Sequence, residues 1–249
     1  MKKILFSFIA FVFLTSCKEN KELYFDTNAQ SLNIWFGSTN VIEDSVSYNF
    51  AYALKNRDSV LFNARLLGYP NSKDIEFELE AIDGDKDLVY YSTPKYTLKA
   101  GQTDLRLPIY IDKPENYQEF KNKTGFITFR LKETSTLKTG TKEMSTLKIS
   151  FKNNISKPTN WDNESDYRYK SMDSYFGTYS DRKYLFIMEV TGMTHFRIFV
   201  TGTKDLEASD NQITTSTANY YASLIKLALL EYEAKNGPMM DENGNRVTF

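Results

Sequence analysis

Few residues of this sequence have the types and spacing that catalysis requires. His195 is the only histidine and Cys17 the only cysteine, so the chain has no second histidine to complete a metal site and no second cysteine for a disulfide. No serine lies in a Gly-x-Ser-x-Gly motif, which argues against a serine triad built on His195. A glycosidase needs only a pair of carboxylates, and that alternative stays open. The sequence therefore favours a structural role for His195 and a protein that is not an enzyme.

Two acidic stretches follow each other in the first half of the chain. Glu76, Glu78 and Glu80 alternate with apolar residues, a period-two pattern that predicts an outward, solvated strand face rather than a catalytic pair. The stretch Asp83–Asp87 alternates aspartates in the way a calcium loop begins. Its glycine comes too early, however, and Pro94 stands where a bidentate glutamate is required. We therefore expect a hairpin turn there, with neither a bound metal nor a cofactor.

The clearest chemical signal is at Cys17. A short basic head precedes an apolar run, Ile4–Leu14, and this order is the layout of a secretory signal. Its ending, Leu14-Thr15-Ser16-Cys17, resembles the lipobox of bacterial lipoproteins, which implies that the Cys17 sulfur carries a diacylglyceryl group and that residues 1–16 are removed. The apolar run is about half of the roughly 20 residues that a spanning helix needs. We expect a membrane partner through this lipid anchor, without a transmembrane segment.

Residues 17–22 form a short polar tether after the signal. Lys18 and Glu19 loosely resemble the export signal of surface lipoproteins in Bacteroidota, which implies an outer-membrane location facing the outside, with a periplasm-facing position as the alternative. Loss of Lys2 and Lys3 changes the balance from 31 basic and 32 acidic residues to 29 and 32, a net charge of −3. Without a clustered basic face, this balance gives no indication of a nucleic-acid partner.

From residue 23 to residue 152 the apolar residues recur with period two. Val46, Tyr48 and Phe50 alternate with polar or small residues, and similar alternation returns in several short segments that turn residues separate. Pro108 lies within one of these segments and indicates an edge strand or a bulge. Short strands without a helical period between them are typical of an antiparallel sandwich. We predict an immunoglobulin-like β-sandwich over residues 23–152, with a flexible hairpin loop at Lys132–Glu143.

The chain changes character beyond a linker that we predict at residues 153–160. An aromatic, partly helical segment follows, and then an apolar strand or buried helix at Tyr184–Val190. Ala218–Lys235 is the clearest helix, because its apolar residues repeat at intervals of three and four and Gly237 follows as a cap. We therefore predict a mainly β protein with a smaller α+β part at residues 161–249 that includes a C-terminal helix.

Aromatic side chains are the candidates for ligand binding, because they offer flat apolar surfaces with a polar group. Most of the 18 Phe, 17 Tyr and 2 Trp residues must fill the core. Five are candidate ligand-binding residues for a glycan or a peptide: Trp35, Tyr90, Tyr91, Trp161 and Tyr220. Packing between the two halves is the stronger hypothesis for Trp161, which lies beside the linker. An exposed aromatic row would favour a surface binding module, whereas a broad apolar patch would favour an accessory subunit.

Several stretches carry a family resemblance when they are taken together: Trp161, Phe176–Tyr184, the tail Leu229–Phe249, and Arg65–Pro70 with Asp74 in the β half. As a set they are similar to a family of uncharacterised Bacteroidota lipoproteins. The resemblance implies a setting beside an outer-membrane transporter and a receptor lipoprotein of the starch-utilisation type, and it brings no catalytic residues. We therefore expect a lipid-anchored accessory or structural subunit of an outer-membrane nutrient-uptake assembly. The alternative is a surface glycan- or peptide-binding module, and a minor alternative is an unrecognised glycosidase.

Overall fold

A computed structural model describes residues 30–38, 40–200 and 211–249. Cys17, the predicted signal segment and the predicted tether lie outside these residues. The described chain forms two facing β-sheets, one small pair of strands, and a C-terminal part with three strands and three α-helices. These observations confirm the predicted mainly β fold with an α+β C-terminal part. No helix of the described residues is both long and apolar enough to cross a membrane.

Six strands form the first sheet: β1 (Gln30–Gly37), β2 (Ile42–Glu43), β4 (Arg57–Leu67), β7 (Tyr90–Ser92), β9 (Asp104–Asp112) and β11 (Leu137–Thr139). Their order is β11-β1-β4-β9-β7, with β2 paired to β1. The long strand β4 is antiparallel to both β1 and β9. Pro108 lies in β9 outside the segment that pairs with β7, so its missing N–H leaves no ladder position unfilled on that side. The predicted edge strand or bulge is wrong for β9, which lies between β4 and β7 with a continuous register to β4, but Pro108 itself is in a part of the strand that pairs with β4 alone.

Four strands form the second sheet: β3 (Ser45–Asn49), β6 (Leu79–Gly84), β10 (Gly125–Leu131) and β12 (Thr146–Lys152). Their order is β3-β12-β10-β6, and β10 is antiparallel to both of its neighbours. Two further strands, β5 (Ile75–Phe77) and β8 (Tyr96–Leu98), pair separately. The edge strands β3 and β11 run parallel to their neighbours, a detail that alternation along one strand does not encode.

The core of the sandwich consists of the inward residues of both sheets. Fully enclosed members include Ile34, Phe62, Ile109, Ile127, Phe129, Leu147, Ile149 and Phe151. Each such side chain contributes about 1.5–3 kcal/mol by leaving water, so the period-two pattern is what selects the inner face of each strand.

The three alternating glutamates have solvent-facing side chains, as their pattern predicted, but they do not share one strand: Glu76 lies in β5, Glu80 in β6 and Glu78 between them. Each one pairs with a cation of a neighbouring segment: Glu76 with Lys95 at 2.6 Å, Glu78 with Lys132 at 3.1 Å and Glu80 with Arg130 at 2.7 Å. Exposed pairs of this kind contribute only about 0–1 kcal/mol each to stability. Of the three, Glu80 lies on β6, an edge strand of the second sheet, where a charged side chain disfavours pairing with another chain.

The C-terminal part is a small sheet covered by helices. Its strands are β13 (Tyr169–Lys170), β14 (Arg197–Phe199) and β15 (Gln212–Thr214), and its helices are α1 (Asp173–Phe176), α2 (Asp181–Thr191) and α3 (Thr215–Asn236). The strand order is β13-β14-β15. The apolar faces of α2 and α3 enclose a second core that includes Trp161, Tyr184, Ile187, Ile198 and Ile225. The predicted C-terminal helix is therefore confirmed as α3, which Gly237 ends with a φ of +78°.

Two local predictions are resolved or corrected by the structure. Tyr184–Val190, which the sequence left open between strand and helix, lies within α2, whose N-cap Ser180 accepts a hydrogen bond from the Lys183 amide at 3.2 Å. The predicted flexible loop Lys132–Glu143 is wrong in part, because it contains β11. Leu137 is the only buried residue of that short strand, so no period could reveal it.

The two parts of the chain meet at the 3₁₀ turn Phe50–Tyr52. The Tyr52 ring lies 4.7 Å from the His195 ring, and its hydroxyl lies 3.3 Å from the Ser156 hydroxyl. Beside it, Asn49 donates to the Asn154 carbonyl at 2.7 Å and accepts from the Asn154 amide at 3.2 Å. The first residues of the predicted linker are therefore held against the sandwich.

Candidate functional site

Both tryptophans among the candidate ligand-binding residues are buried. Trp35 is 3% exposed and donates its indole N–H to the Ser38 carbonyl at 3.1 Å. Trp161 is 1% exposed, donates to the Gly177 carbonyl at 3.0 Å and packs edge-on against Tyr184. Neither ring face is open to a ligand, so the binding role considered for them is corrected to core packing. The ring partners of Trp161 lie in the C-terminal part, so it does not pack between the two halves as the sequence suggested.

The three candidate tyrosines do not form one surface. Tyr90 is exposed at a sheet edge, whereas Tyr91 turns to the other face and packs edge-on against Phe129 with ring centres 5.0 Å apart. Adjacent residues of a strand point to opposite faces, which separates the pair. Tyr220 is exposed on α3, in the other part of the molecule. The five candidates therefore form no aromatic row.

The remaining chemical candidates have local partners. His195 lies next to Tyr184, with 3.3 Å between its Nδ1 and the tyrosine hydroxyl. The Asp85 carboxylate, part of the acidic turn, accepts a hydrogen bond from the Phe126 amide at 2.9 Å. These contacts give both side chains a role in local structure. Cys17 lies outside the described residues.

An open groove of about 890 Å³ lies between the sandwich and the C-terminal part. One wall comes from the sandwich side, where the turn at residues 50–54, the segment 113–121 and residues 153–155 come together. The other wall comes from α2 and from residues 240–242 of the tail. Clefts at the junction of two parts of a chain are common positions for ligand sites.

The sandwich wall of the groove carries positive charge without a matching carboxylate. Lys121 is exposed and has no ion-pair partner among the described residues. The Lys113 ammonium lies 4.0 Å from the centre of the Tyr117 ring and 3.4 Å from the Ala53 carbonyl. The side-chain amide of Asn154 also has no hydrogen-bond partner in the described chain. This wall therefore presents hydrogen-bond donors, and a carboxylate or a peptide carbonyl could accept hydrogen bonds from them.

The opposite wall carries carboxylates that the protein already uses. Glu242 accepts hydrogen bonds from the amides of Asp181 and Arg182, at 2.8 and 3.2 Å, and so caps the N-terminus of α2. Asp181 accepts from the Tyr179 hydroxyl at 2.6 Å, and Arg182 pairs with Glu189 at 3.2 Å. An anion at a helix N-terminus offsets the dipole and satisfies unpaired amides. These bonds hold the tail against α2 and fix the shape of the groove.

Between the two walls the groove is lined with apolar side chains. Leu54 and Met240 are 44% and 50% exposed, and the half-buried Ile155 and Leu185 complete the apolar strip. An exposed apolar strip flanked by charge is typical of a binding surface. The arrangement suits an extended ligand with an apolar side chain between polar groups.

Local sequence patterns carry little indication of this groove, because its residues come from five distant segments. Lys113 stands in a Lys-Pro-Glu-Asn interruption between strands, and Asn153 and Asn154 open the predicted linker. Each segment alone has the composition of an ordinary loop. The one usable signal is the tail, Asp241-Glu242, which contributes to the family resemblance.

Lys183 is a buried cation that takes no part in the groove lining. Its ammonium donates to the Phe176 carbonyl at 3.0 Å and lies 5.3 Å from the Phe249 ring centre. Burial lowers the pKa of this amine below its ordinary value. The bond satisfies a carbonyl at the end of α1, which is a structural role.

Solved structures with a similar outline are distant in sequence. A two-domain protein of unknown function from Bacteroides fragilis is 11% identical over 52% of this chain and 47% of its own, with a TM-score of 0.35. A putative carbohydrate binding protein from Bacteroides ovatus is 10% identical over 49% of this chain and 37% of its own, also at 0.35. The Calx CBD1 domain is 10% identical over 51% of this chain and 99% of its own, with a TM-score of 0.33. The chain thus spans less than half the length of the two Bacteroides proteins.

No curated protein matches this chain. One family model does match it, over residues 18–193, and its description is "Domain of unknown function (DUF4843)". The match covers more than two thirds of the 249 residues, both the sandwich and the first helices of the C-terminal part. The resemblance to a family of unknown function is confirmed at this level, and the chain belongs to the DUF4843 family.

Proposed function

We propose that this protein is a lipid-anchored accessory subunit of an outer-membrane nutrient-uptake assembly, and that it binds a polypeptide partner in its groove without catalysing a reaction. The observation that carries the proposal is the positive charge of Lys113 and Lys121, which no carboxylate of the described residues pairs with, beside an apolar lining. A ligand with a carboxylate next to an apolar side chain would complement both features.

An extended polypeptide matches this surface in three respects. An Asp or Glu side chain would pair with Lys113 or Lys121, and an apolar side chain would cover Leu54 and Leu185. The free Asn154 amide would bond to the peptide backbone, whose donors and acceptors need partners once they leave water. Since exposed ion pairs contribute about 0.2–1 kcal/mol each, we expect the apolar contacts to supply most of the affinity.

A glycan is the weaker alternative for this groove. Sugar faces stack on open aromatic rings, but Trp35 and Trp161 are buried. Tyr117 is the half-buried aromatic residue of the groove, and the Lys113 ammonium covers its ring at 4.0 Å. The groove thus offers no free platform among its described side chains.

The anchor and location also belong to this proposal. The Leu-Thr-Ser-Cys ending before residue 18 supports lipidation at Cys17, and the family match begins at the next residue. Lys18 and Glu19, with the family resemblance described above, support export to the surface of a Bacteroidota outer membrane. Two or more acyl chains would hold the protein stably, since each buried methylene contributes about 0.8 kcal/mol.

Selection from a library of short random peptides tests the ligand chemistry. The full chain should enrich peptides with Asp or Glu next to an apolar residue, and Lys113→Glu/Lys121→Glu should lose these and favour basic peptides instead. Lys73→Glu is the matched control, because Lys73 is exposed, lies outside the groove and has no ion-pair partner in the part of the chain that the structure describes. Equal enrichment by both variants, or binding only to a glycan array, would contradict a polypeptide ligand.

Membrane fractionation tests the anchor separately. Wild-type protein should stay with the outer membrane after a salt wash, while Cys17→Ala should appear in the soluble fraction. A Cys17→Ala protein that still resists the wash would contradict lipid anchoring and leave the groove proposal standing.

A further inference from the structure

The groove and the start of β1 lie at opposite ends of the sandwich. Strand β1 begins at Gln30, beside Leu67, the last residue of β4. Strand β4 begins at the other end with Arg57, which pairs with Asp112, the residue before the groove residue Lys113. Strand β4 has 11 residues, and at about 3.3 Å per residue its two ends are about 33 Å apart. The chain that precedes β1 therefore joins the sandwich far from the groove.

A turn beside Gln30 carries an exposed tyrosine, Tyr69, which is 69% exposed. The Gln30 side chain donates to the Tyr69 carbonyl at 3.4 Å and accepts from the Asn71 side chain at 3.0 Å. The Asn71 carbonyl accepts from the Gly101 amide at 2.9 Å, which joins a second turn to the first. Both turns are therefore fixed beside the residue at which β1 begins.

The two turns present an uncharged surface. We call residues 68–70 and 100–102 the anchor end; all six are exposed and none is charged. The Asp74 carboxylate, which follows the first turn, is bound by the Lys99 ammonium at 2.7 Å and by the Ala100 amide at 2.9 Å. Tyrosine is enriched at membrane–water interfaces, where its ring lies at the level of the headgroups. The anchor end thus offers an interfacial ring, and none of its six residues adds a carboxylate that anionic headgroups would repel.

We infer that the anchor end rests on the headgroups of the membrane that holds the lipid of Cys17, with the Tyr69 ring among them and the groove turned away from the membrane. The inference rests on the lipid anchor of the proposed function. Residues 18–29 connect Cys17 to Gln30, and these 12 residues span at most about 43 Å, so the start of β1 stays within that distance of the anchor. The groove then faces partners in the surrounding medium rather than the membrane surface.

Fluorescence in vesicles tests the contact with lipid. The full lipidated chain carrying Tyr69→Trp is reconstituted in phosphatidylcholine vesicles that contain a lipid brominated close to the headgroup. Trp35 and Trp161 are buried, and the parent protein gives their background. We expect the brominated lipid to quench the added tryptophan at position 69. Tyr90→Trp is the matched control, because Tyr90 is 60% exposed and pairs with Asp112 at the groove end, and its fluorescence should not change.

The outcomes of this experiment separate the inference from the anchor. Protein that fails to float with the vesicles would overturn the anchor and, with it, this inference. Protein that floats but shows no quenching at position 69, or equal quenching at positions 69 and 90, would overturn this inference alone. A protein partner in place of lipid would leave position 69 unquenched, because the vesicles contain no other protein.

Energy transfer tests the orientation of the molecule. Cys17 is the only cysteine and its sulfur is acylated in the lipidated protein, so a dye attached through Gln102→Cys, Leu61→Cys or Leu54→Cys occupies a single position. Transfer to a headgroup-labelled lipid should decrease in that order, from the anchor end through the middle of β4 to the groove.

A charge at the anchor end should disturb this order. Adding Tyr69→Asp should lower the transfer at position 102 and raise it at position 54. The thermal transition should stay close to that of the parent, because position 69 is exposed. Equal transfer from all three positions, or an order that Tyr69→Asp does not alter, would overturn the inference.

Discussion

Trp161 illustrates at the residue scale how a candidate binding residue becomes a structural one. It is enclosed by the C-terminal core, and loss of a buried aromatic side chain typically costs 3–5 kcal/mol. We therefore expect Trp161→Ala to lower the free energy of unfolding by about that amount, as measured by denaturant titration. Tyr220→Ala, at an exposed helical position, is the control and should change it by less than about 0.5 kcal/mol. A stable Trp161→Ala protein would contradict the core assignment.

At the scale of an element, the cap on α2 decides the position of the acidic groove wall. Glu242 supplies both oxygens to the first amides of the helix, so Glu242→Ala removes a cap and a favourable dipole contact. We expect a loss of about 1–2 kcal/mol of unfolding free energy by thermal denaturation. Glu231→Ala, at an exposed residue of α3 without an ion pair among the described residues, should cause almost none. Equal effects of the two substitutions would show that the cap contributes nothing.

For the whole molecule, the pKa values of four tyrosines predict how the free energy of unfolding depends on pH. Burial is the main cause that raises the pKa of Tyr96 and Tyr184 above the ordinary value of 10.0, and it also raises the pKa of the half-buried Tyr48 and Tyr179. The folded chain keeps these protons while the unfolded chain releases them near pH 10. The contribution to stability is therefore complete below that pH and is lost as the pH rises above it.

Denaturant titrations between neutral pH and pH 11 measure this dependence. We expect the free energy of unfolding to fall above pH 10 by about 1.4 kcal/mol per pH unit for each retained proton. Tyr96→Phe removes one such proton and should flatten the slope, although it also removes the bond to the Pro108 carbonyl at 2.8 Å. A curve that stays level above pH 10 would contradict the assignment.

How much of this molecule could be predicted depended on whether a feature lies within one element. Strand alternation identified the sandwich, and the spacing from Tyr221 to Tyr232 identified α3. The burial of Trp35 and Trp161 could not be predicted from the neighbouring sequence, because it depends on the strands and helices that pack over them. The groove has no local sequence signal, because Lys121, Asn154 and Leu185 come together only through tertiary contacts.

Site-specific photo-cross-linking in cells of the native organism is the most direct test of the groove as the site of a polypeptide partner. A photo-reactive residue at Leu54, in the groove lining, is compared with one at Leu61, which is on the sandwich but outside the groove. The two side chains are equally exposed, at 44% and 43%. We expect a protein adduct from position 54 alone, attached at an acidic segment of the partner and lost with Lys113→Glu/Lys121→Glu. No adduct at position 54, or the same adduct from both positions, would contradict the proposal.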